Sequence, residues 1–390
     1  MATLHTCDLA IVGGGLAGGL IALAVQRRHP EMDVRVIDAA PTIGGNHLWS
    51  FFASDLAEAD TWIVAPLISY GWKSYDVAFP GQQRTLDTPY YAIESERLDQ
   101  VVRETLPPHA LMLDRKVLGA SAKAVVLGDG DRIEAKGVID CRGAADLNTL
   151  ECGWQKFVGQ ELELADAHEQ PRPMVMDATV AQADGFRFVY ALPFAATRMF
   201  VEDTYYSDTP RIERDTLAGR IADYAAAQSW QVDQVVREER GALPVVIDGD
   251  FEAYWRSGGN KVAKAGARAG LFQPTTSYSL PDAVRMASAI AHTTDFSGKG
   301  LHELTHGLAK DAWRARGFYR MLNKMLFRAA EPAERWRVLA RFYGLDARLI
   351  GRFYAGRSTM IDKARVLTGR PPVPIGRAIA ALRGTSRGRI

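Results

Sequence analysis

This 390-residue sequence has few cysteines, almost no net charge and no long apolar runs. The 47 basic and 46 acidic residues leave a formal net charge of +1, so no overall field would recruit nucleic acid or an acidic substrate. The spacings of Cys7, Cys141 and Cys152 suit neither a disulfide framework nor a zinc knuckle, which indicates a reducing compartment. No run of about 18 apolar residues occurs, so we expect neither a membrane-spanning helix nor a targeting segment.

The composition is that of a folded globular protein. Apolar residues make up 47% and charged residues 24% of the chain, which excludes a disordered, collagen-like or coiled-coil protein. The length exceeds what one average domain needs, so we expect either two entwined domains or one large one.

The first 40 residues alternate in the order strand, glycine turn, helix, strand. The apolar segment 8–12 predicts a strand, residues 19–28 a helix that ends in basic residues, and residues 34–38 a second strand. This is the length that a parallel βαβ unit requires. The sequence therefore predicts a doubly wound, Rossmann-like start to the fold.

The glycines of this unit have the spacing of a dinucleotide-binding turn. Gly13 permits the tight bend, Gly15 lets the backbone approach a pyrophosphate, and Gly18 lets the helix pack against the strand. Asp38 ends the second strand, where a carboxylate binds ribose hydroxyls. A lone glycine pattern often marks an ordinary turn, but the strand, helix and acid around this one favour a dinucleotide.

Later segments favour FAD as that dinucleotide. Gly44 and Gly45 form a second glycine pair past the cofactor, and the strand that ends at Asp140 suits another edge of the cleft. The glycine-rich loop at 266–276 precedes a helix whose N-terminus is expected to face the flavin pyrimidine ring.

The rest of the chain has a different pattern. Segments 187–194 and 199–206 are aromatic and β-branched, which predicts an antiparallel hairpin. Pro210 is expected in the first turn of a helix that runs to about residue 229. The last 80 residues are predicted to be helical up to the prolines at 371–374.

Five longer motifs occur in an order that is highly specific: GGNHLWSF at 44–51, FVEDTYY at 200–206, GALP at 241–244, AGLFQPTT at 269–276 and RFYAGR at 352–357. With them the chain resembles, almost end to end, the bacterial lycopene β-cyclases of carotenoid biosynthesis, members of the FAD-dependent oxidoreductase superfamily.

The resemblance implies an α/β (α+β) fold in which a Rossmann-like FAD-binding domain is interleaved with an antiparallel β-sheet substrate domain and followed by a C-terminal helical region. The expected segments are 1–70, 95–150 and 262–310 for FAD, 71–94 and 151–261 for the substrate, and 311–390 for the helical region.

The resemblance also implies a reaction without net redox change. Lycopene's open ψ ends are closed into β-ionone rings, giving γ-carotene and then β-carotene, with FAD in its reduced form and NAD(P)H as the electron donor. A reduced flavin anion about 4 Å from the cationic intermediate would contribute roughly 4 kcal/mol, against about 1 kcal/mol from a helix terminus. The expected partners are lycopene, the membrane surface and other enzymes of the carotenoid pathway, without nucleic acid or metal.

The catalytic candidates are Glu202 and Asp203, which resemble the family's acidic strand. Glu202 is predicted to be the acid that protonates the terminal double bond, because an apolar pocket raises the pKa of a carboxyl group. Neighbours on a strand point to opposite faces, so only one of the two lines the pocket and Asp203 is expected to brace the fold. Without the resemblance, both would be interpreted as surface or salt-bridged acids.

The other site residues implied by the resemblance fall into two groups. FAD is expected to contact Gly13, Gly15, Gly18, Asp38, Gly44, Gly45, Arg97, Asp140, Gly270, Pro274, Thr275 and Thr276. Lycopene is expected to contact His47, Trp49, Phe200 and Tyr205, with ordinary core packing as the alternative for the aromatic residues and a core or capping role as the alternative for His47.

Two departures from the family's relatives concern the flavin loop. Ser277 stands where relatives usually have glycine, which is expected to shift the loop beside the flavin. Ala267 and Arg268 replace a Gly-Asp pair of the wider superfamily, as in the cyclase branch, so contacts that depend on that aspartate are not expected.

A zinc-protease pattern also occurs. His302 and His306 fit H-E-x-x-H on a predicted helix, and Glu331 lies at a distance where one protease class places a third ligand. Ala309 and Ala312 break the longer form of the motif. Because a string this short arises by chance, we interpret it as part of a partly exposed helix and expect no metal.

A cytoplasmic enzyme peripherally associated with the inner face of the membrane is expected, since lycopene resides in the bilayer. The predicted docking region is the C-terminal helical part, and the alternative is an ordinary amphipathic core face. Its apolar residues are Met321, Leu322, Met325, Leu326 and Phe327, and its basic ones are Lys324, Arg328, Arg377, Arg383, Arg387 and Arg389.

Two other functions remain open from the residues. A redox flavoenzyme, such as a hydroxylase or a polyprenyl reductase, would use the same scaffold. A non-catalytic flavin-binding or membrane-tethering protein would turn over no carotenoid.

Overall fold

The computed structural model describes residues 2–183, 185–369 and 375–383. The strands in these ranges are β1 (Leu4–Val12), β2 (Val34–Ile37), β3 (Leu48–Phe52), β4 (Tyr70–Trp72), β5 (Tyr75–Phe79), β6 (Gln82–Leu86), β7 (Tyr90–Glu94), β8 (Leu111–Met112), β9 (Val117–Ala120), β10 (Ala124–Leu127), β11 (Arg132–Asp140), β12 (Leu150–Leu164), β13 (Met174–Asp177), β14 (Phe186–Ala195), β15 (Arg198–Ser207), β16 (Val232–Gly249) and β17 (Ala263–Lys264).

The α-helices in the same ranges are α1 (Leu16–Arg28), α2 (Ser95–Thr105), α3 (Arg214–Ala227), α4 (Phe251–Ser257), α5 (Leu280–Ala291), α6 (Gly298–Ala315), α7 (Gly317–Arg328), α8 (Trp336–Tyr343), α9 (Ala347–Tyr354), α10 (Met360–Leu367) and α11 (Ile375–Arg383). None of these helices is both long enough and apolar enough to cross a lipid bilayer.

The first sheet has the order β8-β2-β1-β11-β10-β9, with β17 paired to β11. Its central strand β1 runs parallel to both β2 and β11, as the βαβ pattern predicts. Leu9 and Ile11 of β1 pack with the helix side chains Leu20 and Ile290, while Ala10 joins a smaller cluster on the other face. Burial on both faces explains why β1 is almost continuously apolar at its end.

The second sheet has the order β16-β12-β15-β14-β13-β5-β6. β14 and β15 form the predicted antiparallel hairpin, and the long strands β12 and β16 extend the sheet on the β15 side. The segment 71–94 contributes to two sheets, since β5 and β6 join the second sheet whereas β4 and β7 pair in a third sheet with β3. The predicted α/β architecture with a C-terminal helical region is confirmed.

Two predictions about helices need correction. The helix expected to start at Pro210 begins at Arg214, because Glu213 rather than the 208–210 segment precedes its first turn. The apolar stripe of α7 does not form an exposed docking face, since Leu326 and Phe327 are buried in the core beneath the second sheet. The prolines at 371–374 and the arginines Arg387 and Arg389 lie outside the described residues.

Candidate active site

The glycine turn at the end of β1 brings the backbone of α1 very close to the strand. Gly13 has a φ of +104°, a conformation that side chains disfavour. A Cβ built on Gly18 would lie 1.9 Å from the carbonyl oxygen of Gly13, so only glycine permits this packing. A Cβ on Gly15 would meet no atom within 4 Å. The turn therefore leaves open space over Gly15, at the N-terminus of α1.

This open space is part of a cavity of about 310 Å³ with two glycine segments in its wall. Asp38, at the end of β2, borders the cavity and accepts hydrogen bonds from the amides of Gly14 (2.5 Å) and Ala40 (2.7 Å). The lining consists of Gly14, Gly15, Leu16, Ala17, Asp38, Ala40, Thr42, Gly44, Gly45, His47, Trp49, Cys141, Gly143, Gly266, Ala267, Ser279 and Ala283. A helix N-terminus and an acid at one cleft are the features that bind a dinucleotide pyrophosphate and ribose.

The second glycine pair closes one side of the cleft. Gly44 and Gly45 have φ values of +86° and +69°, and the amide of Gly44 donates to the carbonyl of Gly14 (2.7 Å). The following residues His47 and Trp49 also line the cleft. Partial desolvation, followed by the charge of Arg237, lowers the pKa of His47 below its usual value.

Arg97 and Asp140, both predicted to contact the cofactor, lie outside this lining. The Arg97 guanidinium donates to the carbonyl of Pro66 (2.9 Å) and to Gln100 (3.0 Å). Asp140 is almost fully buried, and its carboxylate is paired with Arg142 and Arg268. Burial raises the pKa of Asp140, but the two arginines outweigh it and the net pKa is lowered. Asp140 thus braces the end of β11, and the backbone of the following residues borders the cleft.

The loop after β17 also differs from expectation. Gly270, with a φ of +69°, ends a 3-10 turn and does not line the cleft. Thr275 and Thr276 are buried, and their amides donate to the side chain of Gln273. The carbonyl of Pro274 accepts from Asn323 of α7 (2.9 Å). Instead of these residues, Ser279 and Ala283 bring the start of α5 to the cleft.

Ser277 adopts a left-handed conformation with a φ of +59°. Its hydroxyl donates to the carbonyl of Pro244 (2.7 Å), which ties the loop to β16. The backbone therefore keeps the conformation that glycine favours, and the hydrogen bond offsets the strain of the side chain.

Glu202 lies on β15 in an environment that keeps its carboxyl group protonated. The hydroxyl of Thr204 donates to its Oε1 (2.6 Å). Burial, and then the charge of Glu239, raises the pKa of Glu202 to about 8. Tyr90 and Tyr190 lie near enough to Glu202 for its charge to raise their own pKa values, so the surroundings are neutral phenols rather than cations. At neutral pH Glu202 can donate a proton.

Asp203 points to the opposite face of the same strand. It is fully buried, accepts from Arg187 (2.8 Å) and Tyr205 (2.9 Å), and faces the side of the sheet covered by α3. Burial raises its pKa, opposed by Arg187. Of the two predicted catalytic acids, Asp203 is held in an ion pair with Arg187, and Glu202 lies on the other face of the strand.

The alternation of side chains along β15 also puts the predicted aromatic contacts on opposite faces of the sheet. Phe200 shares the face of Glu202, and its ring lies over Gly159 of β12. Tyr205, predicted to contact the substrate, instead packs under α3 with Asp203, on the face of the sheet opposite Glu202. Tyr206, two residues beyond Thr204, occupies the Glu202 face instead, and its hydroxyl donates to the carbonyl of Thr275 (2.8 Å).

Glu239 is a site residue that the sequence did not reveal. It is buried on β16, and its Oε2 accepts from the amide of Leu48 (2.8 Å), within the segment that lines the cleft. Burial raises its pKa to about 7. Its position follows from the pairing of β16 with β12, which local pattern does not predict. Its place two residues before the GALP motif was the available signal.

A second cavity, of about 270 Å³, lies among the C-terminal helices. It combines Tyr206, Thr275 and Thr276 with an almost wholly apolar wall. That wall is formed by side chains that include Leu322, Met325, Leu326, Val338, Leu339, Phe342, Leu345, Phe353, Val366, Leu367, Ile379 and Leu382.

The zinc-like histidines are engaged in packing. His306 lies 3.2 Å from Glu252, and both His302 and His306 pack against Trp255. Within the part of the chain that the structure describes, no group of three or more His, Cys, Asp or Glu residues is arranged to hold a metal ion.

Comparison with known proteins agrees with this geometry. The family model described as "Lycopene cyclase protein" matches residues 8–380. The chain is 45% identical over 380 residues to the lycopene beta-cyclase of Pantoea ananas, covering 97% of this chain and 99% of the relative. It is 43% identical over 371 residues to the lycopene beta-cyclase of Pseudescherichia vulneris, covering 95% and 96%.

Among solved structures, the chain is similar to a geranylgeranyl bacteriochlorophyll reductase-like protein from Thermoplasma acidophilum. The TM-score is 0.61 at 14% identity, covering 97% of this chain and 99% of that one. At this identity the likeness shows the fold alone.

Proposed function

The chain belongs to the lycopene cyclase family, and we infer from this membership that it is a lycopene β-cyclase that closes the ψ ends of lycopene into β-ionone rings. The product of the first closure is γ-carotene and that of the second is β-carotene. The overall change is an isomerisation, an intramolecular lyase reaction. The observation that carries the proposal within the site is a half-buried carboxyl group, Glu202, whose raised pKa keeps its proton at neutral pH.

The steps follow from that proton. Glu202 transfers it to the terminal C1=C2 bond of lycopene, which leaves a tertiary cation and a carboxylate. The C5=C6 double bond attacks the cation and closes the ring, and loss of the C6 proton forms the new double bond. Thr204 holds the Oε1 of Glu202 during the first transfer. The neutral phenols of Tyr90 and Tyr190 provide aromatic faces near the cation without adding positive charge.

The cleft beside Asp38 fits FAD. The space over Gly15 accommodates a pyrophosphate at the start of α1, and Asp38 is placed to accept from ribose hydroxyls. FAD in its reduced form, with NAD(P)H as the electron donor, would supply negative charge that stabilises a nearby cation. His47 and Trp49 line the cleft, which supports the proposal that they orient the substrate end.

We propose that the enzyme docks peripherally on the inner face of the membrane through α10 and α11. Met360 and Ile361 are 77% and 81% exposed, and Ile379 and Leu382 of α11 are also exposed. The exposed basic side chains Arg365 and Arg383 lie on the same two helices. Each basic residue near anionic headgroups contributes about 1 kcal/mol. Leu382 and Ile379 also line the apolar cavity, which offers a path for a polyene from the surface.

Vesicle flotation tests this surface. The double variant Met360→Ser, Ile361→Ser is expected to lose flotation with anionic vesicles at low salt. Leu118→Ser, which removes a leucine that is 62% exposed on β9, is the matched control and is expected to float like the wild type. Equal flotation of the double variant and the wild type would move the docking surface elsewhere.

Turnover tests the reaction itself. The purified protein, chemically reduced FAD, lipid vesicles and lycopene are expected to give cyclic carotenoids of unchanged mass. A hydroxylase would add oxygen and a polyprenyl reductase would add hydrogen. NAD(P)H consumed in proportion to product would favour such a redox reaction, and absence of turnover would favour a non-catalytic flavin-binding protein.

A further inference from the structure

Two glutamates face each other across a glycine in the second sheet. Gly159 of β12 pairs with Glu202 of β15 on one side and with Glu239 of β16 on the other. Directly paired residues of antiparallel strands project from the same face, so both carboxyl groups stand on one face of the sheet. Gly159 has no side chain to separate them, and a Cβ there would come within 2.5 Å of the Phe200 ring. The apolar ring of Phe200 therefore covers the Gly159 backbone between the two acids.

Around Glu239, burial favours the protonated form, whereas the amide of Leu48 and the charge of Arg237 favour the carboxylate. Glu239 is 5% exposed, and its Oε2 lies 3.9 Å from Nδ1 of the largely exposed His47 side chain. The guanidinium of Arg237 is shared with Asn46, Ser95 and Glu96. The charge of Glu239 is the largest effect after burial that holds the proton on Glu202.

We propose that Glu239 is a positioning residue for the proposed cyclisation: across Gly159 its carboxylate keeps Glu202 in the acid form, while its bond to Leu48 fixes the segment that lines the cofactor cleft. The inference rests on the proposed function, because it assigns a partner to the acid of that reaction. The charged and titratable groups around the pair are Glu161 on β12, Arg237 on β16, Glu96 on α2, Tyr90 on β7, Tyr190 on β14, Asp203 on the far face of β15 and His47 before β3.

The alkaline limb of the pH–activity profile provides the test. Wild-type turnover is expected to fall as the pH rises through the pKa of Glu202, since the deprotonated carboxylate cannot donate. The two carboxyl groups are two strand spacings apart, which is about 10 Å. Removing the charge of Glu239 is therefore expected to lower the midpoint pH of the alkaline limb by about one unit. In Glu239→Gln the amide oxygen still accepts from Leu48, which keeps the cleft in place and isolates the charge.

Glu238→Gln is the matched control. Glu238 is the neighbouring residue on β16, but it points to the other face and is paired with Arg214 and Gln160. Its substitution is expected to leave the limb unchanged. Glu239→Asp keeps the charge, so its limb is expected near that of the wild type even if the weaker bond to Leu48 lowers the flavin content.

The outcomes are distinct. The proposal is supported if the midpoint pH of the alkaline limb is lowered in Glu239→Gln but not in Glu238→Gln or Glu239→Asp. A flavin-bound Glu239→Gln protein with the wild-type limb overturns it, and so does complete inactivity at every pH, which would make Glu239 a reacting group. If Glu239→Gln does not fold, a lowered limb in Glu239→Asp overturns the proposal and an unchanged limb supports it. Failure of the wild type to cyclise lycopene would instead refute the proposed function.

Discussion

Replacing the proposed acid by its neutral isostere should stabilise the protein while it abolishes turnover. In Glu202→Gln the amide retains the Oε1 that accepts from Thr204, so the local packing is preserved. The variant loses only the proton that can be donated and the charge that forms at high pH. Catalytic sites commonly combine function with a cost in stability, and the proposed role of Glu202 predicts such a cost.

The magnitude follows from burial, which raises the pKa of Glu202 from 4.5 to about 8. Between these values the folded state holds a proton that the unfolded state has lost, so the stability of the wild type falls by about 1.4 kcal/mol per pH unit. The full interval sets an upper limit of about 5 kcal/mol. Because part of the Glu202 side chain remains accessible, solvent screening reduces the expected difference to about 2 kcal/mol.

Urea titrations at pH 5 and pH 8.5, at equal flavin load, measure this difference in the free energy of unfolding. Glu202→Gln is expected to match the wild type at pH 5 and to exceed it by about 2 kcal/mol at pH 8.5. Glu238→Gln should show the opposite sign at the higher pH, because Arg214 lowers the pKa of Glu238 and the variant loses that ion pair. A pH-independent difference for Glu202→Gln, or wild-type turnover with reduced FAD, would refute the reasoning.

Three further predictions concern the cleft and the fold. Gly15→Val is expected to purify without the yellow colour of flavin, because its side chain fills the open space at the start of α1; a full flavin load would contradict the cofactor assignment. Asp203→Asn should lose about 3 kcal/mol of stability by leaving Arg187 unpaired in the core; an unchanged urea midpoint would exclude a bracing role. Ser277→Ala should be less stable than Ser277→Gly by about 1 kcal/mol, since both variants lose the bond to Pro244 but only alanine keeps the left-handed strain; thermal unfolding of the two variants in parallel decides it.

Local pattern was sufficient for the features that depend on neighbouring residues. The βαβ unit, the tight packing at Gly18 and the position of Asp38 all follow from spacing within 40 residues, because turn conformation and strand burial are local properties. The hairpin of β14 and β15 was predicted in the same way. The family was evident from motifs, and the comparisons confirm it.

The alternation of side chains between the two faces of β15 is also a local property. It separates Glu202 from Asp203, and by the same rule it places Tyr205 with Asp203 rather than with the acid. Which face became the site was decided by tertiary packing, because α3 covers one side of the sheet.

Long-range pairing decided the rest. Glu239 lies 80 residues from Gly159, and only the register of β16 on β12 brings it opposite Glu202. The apolar stripe of α7 is compatible with either a membrane face or a core, and the helices packed around it made it a core. Arg97 and Asp140 lie outside the cleft because partners distant in sequence, Pro66 and Arg268, engage them. The nucleotide-binding unit, the family and the candidate acid could all be predicted from local patterns and motifs. The surroundings of that acid could not, because they depend on contacts between distant segments that form only when the chain is folded.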